Sequence, residues 1–185
     1  MEERIIVDTK RFFSRNDLDK KLKPLMEKAV AGDGDSQFSV ANQILEIVNN
    51  TSSKLYMLWM EEAALNNCVM AQYLLAEDKN IEDRYKYYTM LVNNEKTPLQ
   101  VYDYSLNKLA DLKYDNNDMT CIVMYEELIA DMPQNKLAHY RLADLYLRNN
   151  DKDKAKKMFT KYKKLCKMTL NYCYSDPLDL KTKLK

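Results

Sequence analysis

The segment Lys108-Leu109-Ala110-Asp111-Leu112 returns as Arg141-Leu142-Ala143-Asp144-Leu145. The Asn116-Asn117-Asp118 that follows it returns as Asn149-Asn150-Asp151, and every position is displaced by 33 residues. Upstream, a small residue after an aliphatic one recurs at Val40-Ala41 and Leu75-Ala76, so Ala41, Ala76, Ala110 and Ala143 stand 35, 34 and 33 apart. A period near 34 marks a repeat architecture, in which each unit cannot bury its hydrophobic face alone and must stack on its neighbours. The contents of the repeats are helical. Only two glycines, Gly32 and Gly34, occur in 185 residues, too few for a sheet protein with tight turns at positive φ. The same scarcity excludes a P-loop or a dinucleotide fingerprint, which need several glycines for close approach of backbone to phosphate. The recurrent alanine then marks where the two helices of each pair cross closely.

Five Asn-Asn dipeptides, at 49–50, 66–67, 93–94, 116–117 and 149–150, each follow a helix-like stretch. Asparagine tolerates the left-handed conformation that ends helices, and here it is expected to take the role of the missing glycines. The pattern predicts helices over 24–31, 36–48, 54–66, 69–78, 81–93, 98–114, 119–131, 136–148 and 152–168. Pro24 and Pro98 suit first-turn positions, with Thr97 as a cap, and Pro133 breaks between two helices. Pro24 argues against a single helix through 17–31. The expected organisation is an N-terminal extension (1–23), a repeat domain (24–168) and a basic C-terminal tail (169–185).

In the stretch Lys136–Tyr162, Leu142-Ala143, Tyr146, Ala155 and Phe159 hold the spacing of a tetratricopeptide repeat, with Pro133 where a preceding repeat would end, and this stretch resembles that family. Trp59 followed by Ala63-Ala64, then Ala71-Gln72 and Leu75, resembles the related Sel1-like repeat, as does the opening Gly32-Asp33 through Gln37. The glycine-rich loop within a Sel1 unit is absent. The resemblance covers about residues 24–168. It implies an all-α, right-handed α-solenoid of about four helix-turn-helix repeats, with the first helix of each pair lining a concave face. Residues three before, two before and one after each reference alanine would then face that groove. They are Phe38, Ser39 and Asn42; Tyr73, Leu74 and Glu77; Asn107, Lys108 and Asp111; and Tyr140, Arg141 and Asp144. Lys108 and Arg141 suit a carboxylate, although Phe38 stands where the family's clamp needs a lysine. The competing reading is that Lys108–Asp111 and Arg141–Asp144 are i,i+3 pairs on their own helices.

Chemistry-bearing patterns are sparse. His139, the one histidine, falls one turn before Leu142-Ala143 at a packing position, with no local nucleophile or carboxylate to orient it. Glu61-Glu62 and Glu126-Glu127 are sequence neighbours about 100° apart on a helix and do not converge on one substrate. Cys68, Cys121, Cys166 and Cys173 form no CxxC pair and read as reduced core or boundary thiols. No enzyme class, cofactor or metal site emerges. The longest apolar run, Leu55–Met60, is six residues, against ~20 for a membrane span, and the N-terminus lacks a signal-peptide core. A cytoplasmic location is the expectation.

Tyrosine numbers fourteen. Tyr73, Tyr104 and Tyr140 fall on first helices, where packing and partner contact are both open readings. The segment 151–185 carries eleven lysines and four aspartates, a net of +7 that leaves 1–150 at −6. Within it Ala155, Met158, Phe159, Tyr162 and Leu165 form an apolar stripe and lysines fill the rest of the turn. A solubilising terminal helix explains this. The function expected is a non-catalytic scaffold or adaptor that binds a peptide or protein surface. The alternative is a nucleic-acid-associated factor using the lysine-rich helix 152–168, weakened because aromatics do not interleave with its exposed lysines.

Overall fold

A computed structural model describes residues 3–16, 18–78, 83–168 and 179–184. Among the described residues every regular element is a helix: α1 (Glu3–Arg15), α2 (Asp19–Val30), α3 (Gly34–Val48), α4 (Lys54–Leu65), α5 (Val69–Glu77), α6 (Arg84–Asn93), α7 (Leu99–Asp115), α8 (Cys121–Asp131), α9 (Lys136–Arg148), α10 (Lys152–Met168) and the short α11 (Leu180–Lys183). The chain divides into two compact units, Met1–Tyr102 and Asp103–Lys185.

The reference alanines fall on α3, α5, α7 and α9, and all four are fully buried. In the first unit α3 packs on α4 and α5 on α6, with α4 also packing on α5; in the second α9 packs on α10 and α8 on α9. Each of these methyl groups is fully buried, which leaves little room for a larger side chain. Ala110→Leu or Ala143→Leu is therefore expected to overpack the contact and lower stability by about 1–3 kcal/mol. Thermal midpoints unchanged in both variants would show that the helices do not cross there.

The turns follow from asparagine chemistry. Asn67, Asn117 and Asn150 sit at φ of 61, 58 and 60°, each followed by a 6→1 backbone hydrogen bond: Cys68 N to Ala63 O, Asp118 N to Lys113 O and Asp151 N to Tyr146 O, at 2.8–2.9 Å. These are Schellman closures. Asn49 is also left-handed, at φ 50°. The fifth dipeptide behaves otherwise. Asn93 is the last residue of α6, and Asn94, at φ −92°, uses its side-chain amide to donate to Gln72 Oε1 at 2.9 Å and Asn67 O at 3.2 Å. Glycine is used where asparagine fails. Gly32, at φ +94°, closes α2, and a Cβ on Gly34 would lie 2.4 Å from the carbonyl oxygen of Asn66.

Glutamines tie consecutive helices together. Gln37 Nε2 donates to Ala29 O across the α2–α3 turn and Gln72 Nε2 to Ala64 O across the α4–α5 turn, at 2.9 and 2.8 Å. Their Oε1 atoms in turn accept from Asn66 and Asn94 Nδ2. The carbonyls freed at the helix ends are thus satisfied from the next helix.

Two expectations are corrected. Pro24 lies inside α2, which runs unbroken from Asp19 to Val30. The carbonyl it deprives of a partner is that of the exposed Lys20, in the first turn, where water reaches it. Thr97 does not cap α7: its Oγ1 is buried without a hydrogen-bond partner. The helical ladder opens at the carbonyl of Pro98, which accepts from Tyr102 N at 2.9 Å, so Thr97 stands one residue too early to cap. The helix expected over 81–93 is described only from Arg84, since 79–82 lie outside the described residues, as do 169–178 in the tail and Cys173. Beyond them, α11 buries Leu180.

The first unit also contains a helix with no counterpart in the expected map. α1 packs on α2 and α4 and buries Ile5, Thr9 and Phe13, spaced i, i+4, i+8. Thr9 Oγ1 donates to Ile5 O at 2.7 Å and accepts from Trp59 Nε1 at 2.8 Å, which lets a polar residue occupy the middle of a buried stripe.

Candidate functional site

In the second unit, α7 and α9 are joined by a polar network built around Tyr114. Its phenol is buried, and its hydroxyl donates to Asp144 Oδ2 at 2.7 Å. Arg148, one turn after Asp144 on α9, places Nη2 2.6 Å from the same carboxylate oxygen and also donates to Asn117 Oδ1 at 2.9 Å. Arg141 and Arg148 both set their guanidinium groups over the Tyr114 ring, with Cζ 3.9 and 4.8 Å from its centroid. Two guanidinium groups this close to one ring are cation–π contacts, and Arg148 Nη2 also donates to the Tyr114 hydroxyl at 3.0 Å. Asp144 is 4% exposed, and this pairing with Arg148 and Tyr114 is what allows a carboxylate to be buried there.

Asp111, one turn before Tyr114 on α7, accepts from the hydroxyl of Tyr125 on α8. The same device recurs elsewhere: Tyr146 donates to Glu126 and, in the first unit, Tyr88 to Glu77. Burial and then the neighbouring carboxylate push the ionisation of Tyr88, Tyr114, Tyr125 and Tyr146 upward. A neutral phenol can donate to a carboxylate and a phenolate cannot, so the folded state holds these protons more tightly than the unfolded chain. Stability is therefore complete below the unfolded value near pH ~10 and falls as pH rises beyond it. The expected result is a thermal midpoint that drops above pH ~10 and drops less in Tyr125→Phe; a parallel loss in both would rule out the phenol as its source.

His139 is buried, with Nε2 2.9 Å from Pro133 O and Nδ1 without a partner. Burial lowers its pKa, as fits a packing histidine. Cys68, Cys121 and Cys166 are buried thiols outside any disulfide. Among the described residues no group of His, Cys, Asp and Glu could hold a metal ion, and no helix is long and apolar enough to cross a membrane. On α10 the lysines at 152, 156, 157, 161, 163, 164 and 167 are exposed while Phe159 and Tyr162 are buried, so the aromatics lie under the charged face rather than on it.

The sequence-derived groove residues divide into three groups. In the first unit, Phe38, Ser39 and Asn42 are half-buried on α3; on α5 Tyr73 and Glu77 are half-buried and Leu74 is exposed. In the second, Asn107, Lys108, Asp111 and Arg141 are half-buried on α7 and α9. The Lys108 Nζ sits 5.3 Å from the Tyr104 ring centroid. One end of the Asn107 amide, Oδ1, and the Arg141 Nε are buried without hydrogen-bond partners. Tyr140 and Asp144 form the third group and differ from expectation. Tyr140 is 3% exposed and packs against Tyr162 of α10, with centroids 5.0 Å apart; Asp144 is spent on Arg148 and Tyr114. The ion-pair alternative is altered as well, since Asp144 pairs with Arg148 at i,i+4 and Arg141 reaches Asp115 at 3.9 Å. The i,i+4 spacing of Asp144 and Arg148 was the available sequence signal for this network; nothing comparable marks Tyr114 and Tyr125, whose partners lie on other helices.

Residues 122–164, covering α8, α9 and most of α10, match the family model for the tetratricopeptide repeat. This match supports a tetratricopeptide-type helical repeat, a class that generally mediates protein interactions and is generally non-catalytic. No curated protein and no solved structure matches the chain.

Proposed function

We propose that the chain is a non-catalytic interaction scaffold that holds a peptide or protein segment against the α7–α9 face of its second unit. The observation that carries this reading is that Asn107 Oδ1 on α7 and Arg141 Nε on α9 are both buried without hydrogen-bond partners. A buried polar group left without a hydrogen bond costs about 1–3 kcal/mol; both residues are half-buried, so their side chains can turn these atoms toward a bound segment that satisfies them. Asn107, Asp111 and Tyr114 are spaced i, i+4, i+7 on α7, so they share one stripe, and Arg141 stacks on the last of them. Lys108 adds a cation at the edge. In the first unit, Phe38, Asn42, Tyr73 and Glu77 offer the same mixture of aromatic, amide and acid. The Sel1-like features and a cytoplasmic setting accompany this reading.

Panning a random peptide library against the full chain supplies a ligand, whose affinity is then measured for Asn107→Ala, Arg141→Ala and, as an outside control, Lys156→Ala. A loss of more than about tenfold, ~1.4 kcal/mol, at the first two sites with Lys156→Ala unchanged is expected. No enriched peptide, or equal effects at all three positions, removes the α7–α9 face as the binding surface.

A further inference from the structure

The first unit carries a separate groove that the α7–α9 reading does not use. It lies between α1 and α2, has a volume of about 680 Å³, and is floored by Phe13, Met26 and Val30. Phe13 and Met26 are buried within the unit, but Val30 is 43% exposed, so the floor continues into solvent. Val7, one turn before Lys10 and Arg11 on α1, is 47% exposed. Both walls are basic: Lys10 and Arg11 stand on α1 and Lys23 on α2, with Glu27 the one acid in the lining and Asp8 lying 3.9 Å from Arg11 Nη1. The charge is regional rather than general. α1 and α2 contain eight basic and four acidic residues, whereas 31–150 holds ten and eighteen. From Lys23 to Val30 the groove runs about 10 Å, some two helical turns.

An apolar trough flanked by cations on both sides has one complementary shape, an amphipathic helix with apolar residues at i, i+3/i+4 and i+7 and acids on each flank. A free carboxylate amphiphile would match a single basic end rather than two basic walls. We infer that the α1–α2 groove docks an acidic amphipathic helix of a protein partner. The apolar face of that helix covers Phe13, Met26 and Val30, while its acids meet Lys10, Arg11 and Lys23.

The test uses the full chain and a labelled, amidated helical peptide with leucines at i, i+3 and i+7 and glutamates on both flanks, beside a twin carrying lysines instead. Fluorescence anisotropy at low salt is expected to give at least tenfold tighter binding for the acidic peptide. That affinity should weaken as salt screens the exposed cations and fall at least tenfold in Arg11→Glu/Lys23→Glu and in Val30→Asp. Lys156→Glu/Lys164→Glu on α10 should leave it unchanged, and circular dichroism confirms that each variant keeps its helices. Equal binding of the two peptides, no binding, or an equal loss from the α10 variant overturns the proposal. So does displacement by oleate at lower concentration than the unlabelled peptide, which assigns the groove to a lipid. A wild-type dimer in light scattering that the groove variants dissociate overturns it too, by giving the groove to a second copy.

Discussion

Replacing Trp59 by alanine is expected to lower stability by about 3–5 kcal/mol, the range for truncating a buried aromatic whose cavity cannot collapse. Trp59 is fully buried on α4, and its indole N–H is the donor to Thr9 that joins α4 to α1. A domain's whole stability is about 5–15 kcal/mol, so the variant should leave the first unit marginal, with its thermal midpoint lowered by more than about 10 °C. Trp59→Phe keeps most of the ring but removes the donor to Thr9 Oγ1, whose own bond to Ile5 O remains, and should cost about 0.5–1.5 kcal/mol. An alanine variant within about 1 kcal/mol of the native protein would mean that this ring is not central to the unit. Equal losses from phenylalanine and alanine would assign the effect to the hydrogen bond instead of the packing.

The second large effect belongs to Asp144. Asp144→Ala removes the acceptor of the Tyr114 hydroxyl and the partner of Arg148 together. Breaking a buried pair from one side costs about 3–5 kcal/mol. The Arg148 side chain, however, is 35% exposed and regains some hydration, so about 2–4 kcal/mol is expected here. Much of that is the penalty of leaving polar groups stranded rather than the worth of the pair. Asp144→Leu combined with Arg148→Met should therefore be milder than Asp144→Ala alone. If the double variant is the less stable, the pair itself is strongly stabilising and this account of the network is wrong.

The sequence carried the repeat phase well, because close crossing of helices admits only a small residue and alanine at intervals of 33 to 35 is visible by eye. The turns were legible for a related reason: few residues besides glycine accept positive φ, and asparagine is foremost among them. α1 was hidden because the middle of its buried stripe is Thr9, whose hydroxyl is satisfied by Ile5 and Trp59; a pattern of apolar residues cannot reveal a threonine that packs as one. Pro24 misled because a proline near a helix start harms only a carbonyl that water can reach. At the candidate site, helical phase correctly separates half-buried positions such as Asn107 and Arg141 from the fully buried alanines. It cannot tell that Tyr140 turns under α10, or that Asp144 is claimed by Tyr114 thirty residues earlier in the chain.

Most helices pack on the one before or after them in sequence, and this has a kinetic consequence. Contacts that close short loops form early and give up little chain entropy, so each unit should fold in the fast range typical of helical proteins. The Thr9–Trp59 hydrogen bond spans fifty residues and is the exception. Because α1 completes its packing only when the distant α4 is in place, it should be the last helix of the first unit to arrive and the first to leave, exchanging its amide hydrogens while α3 and α4 still protect theirs.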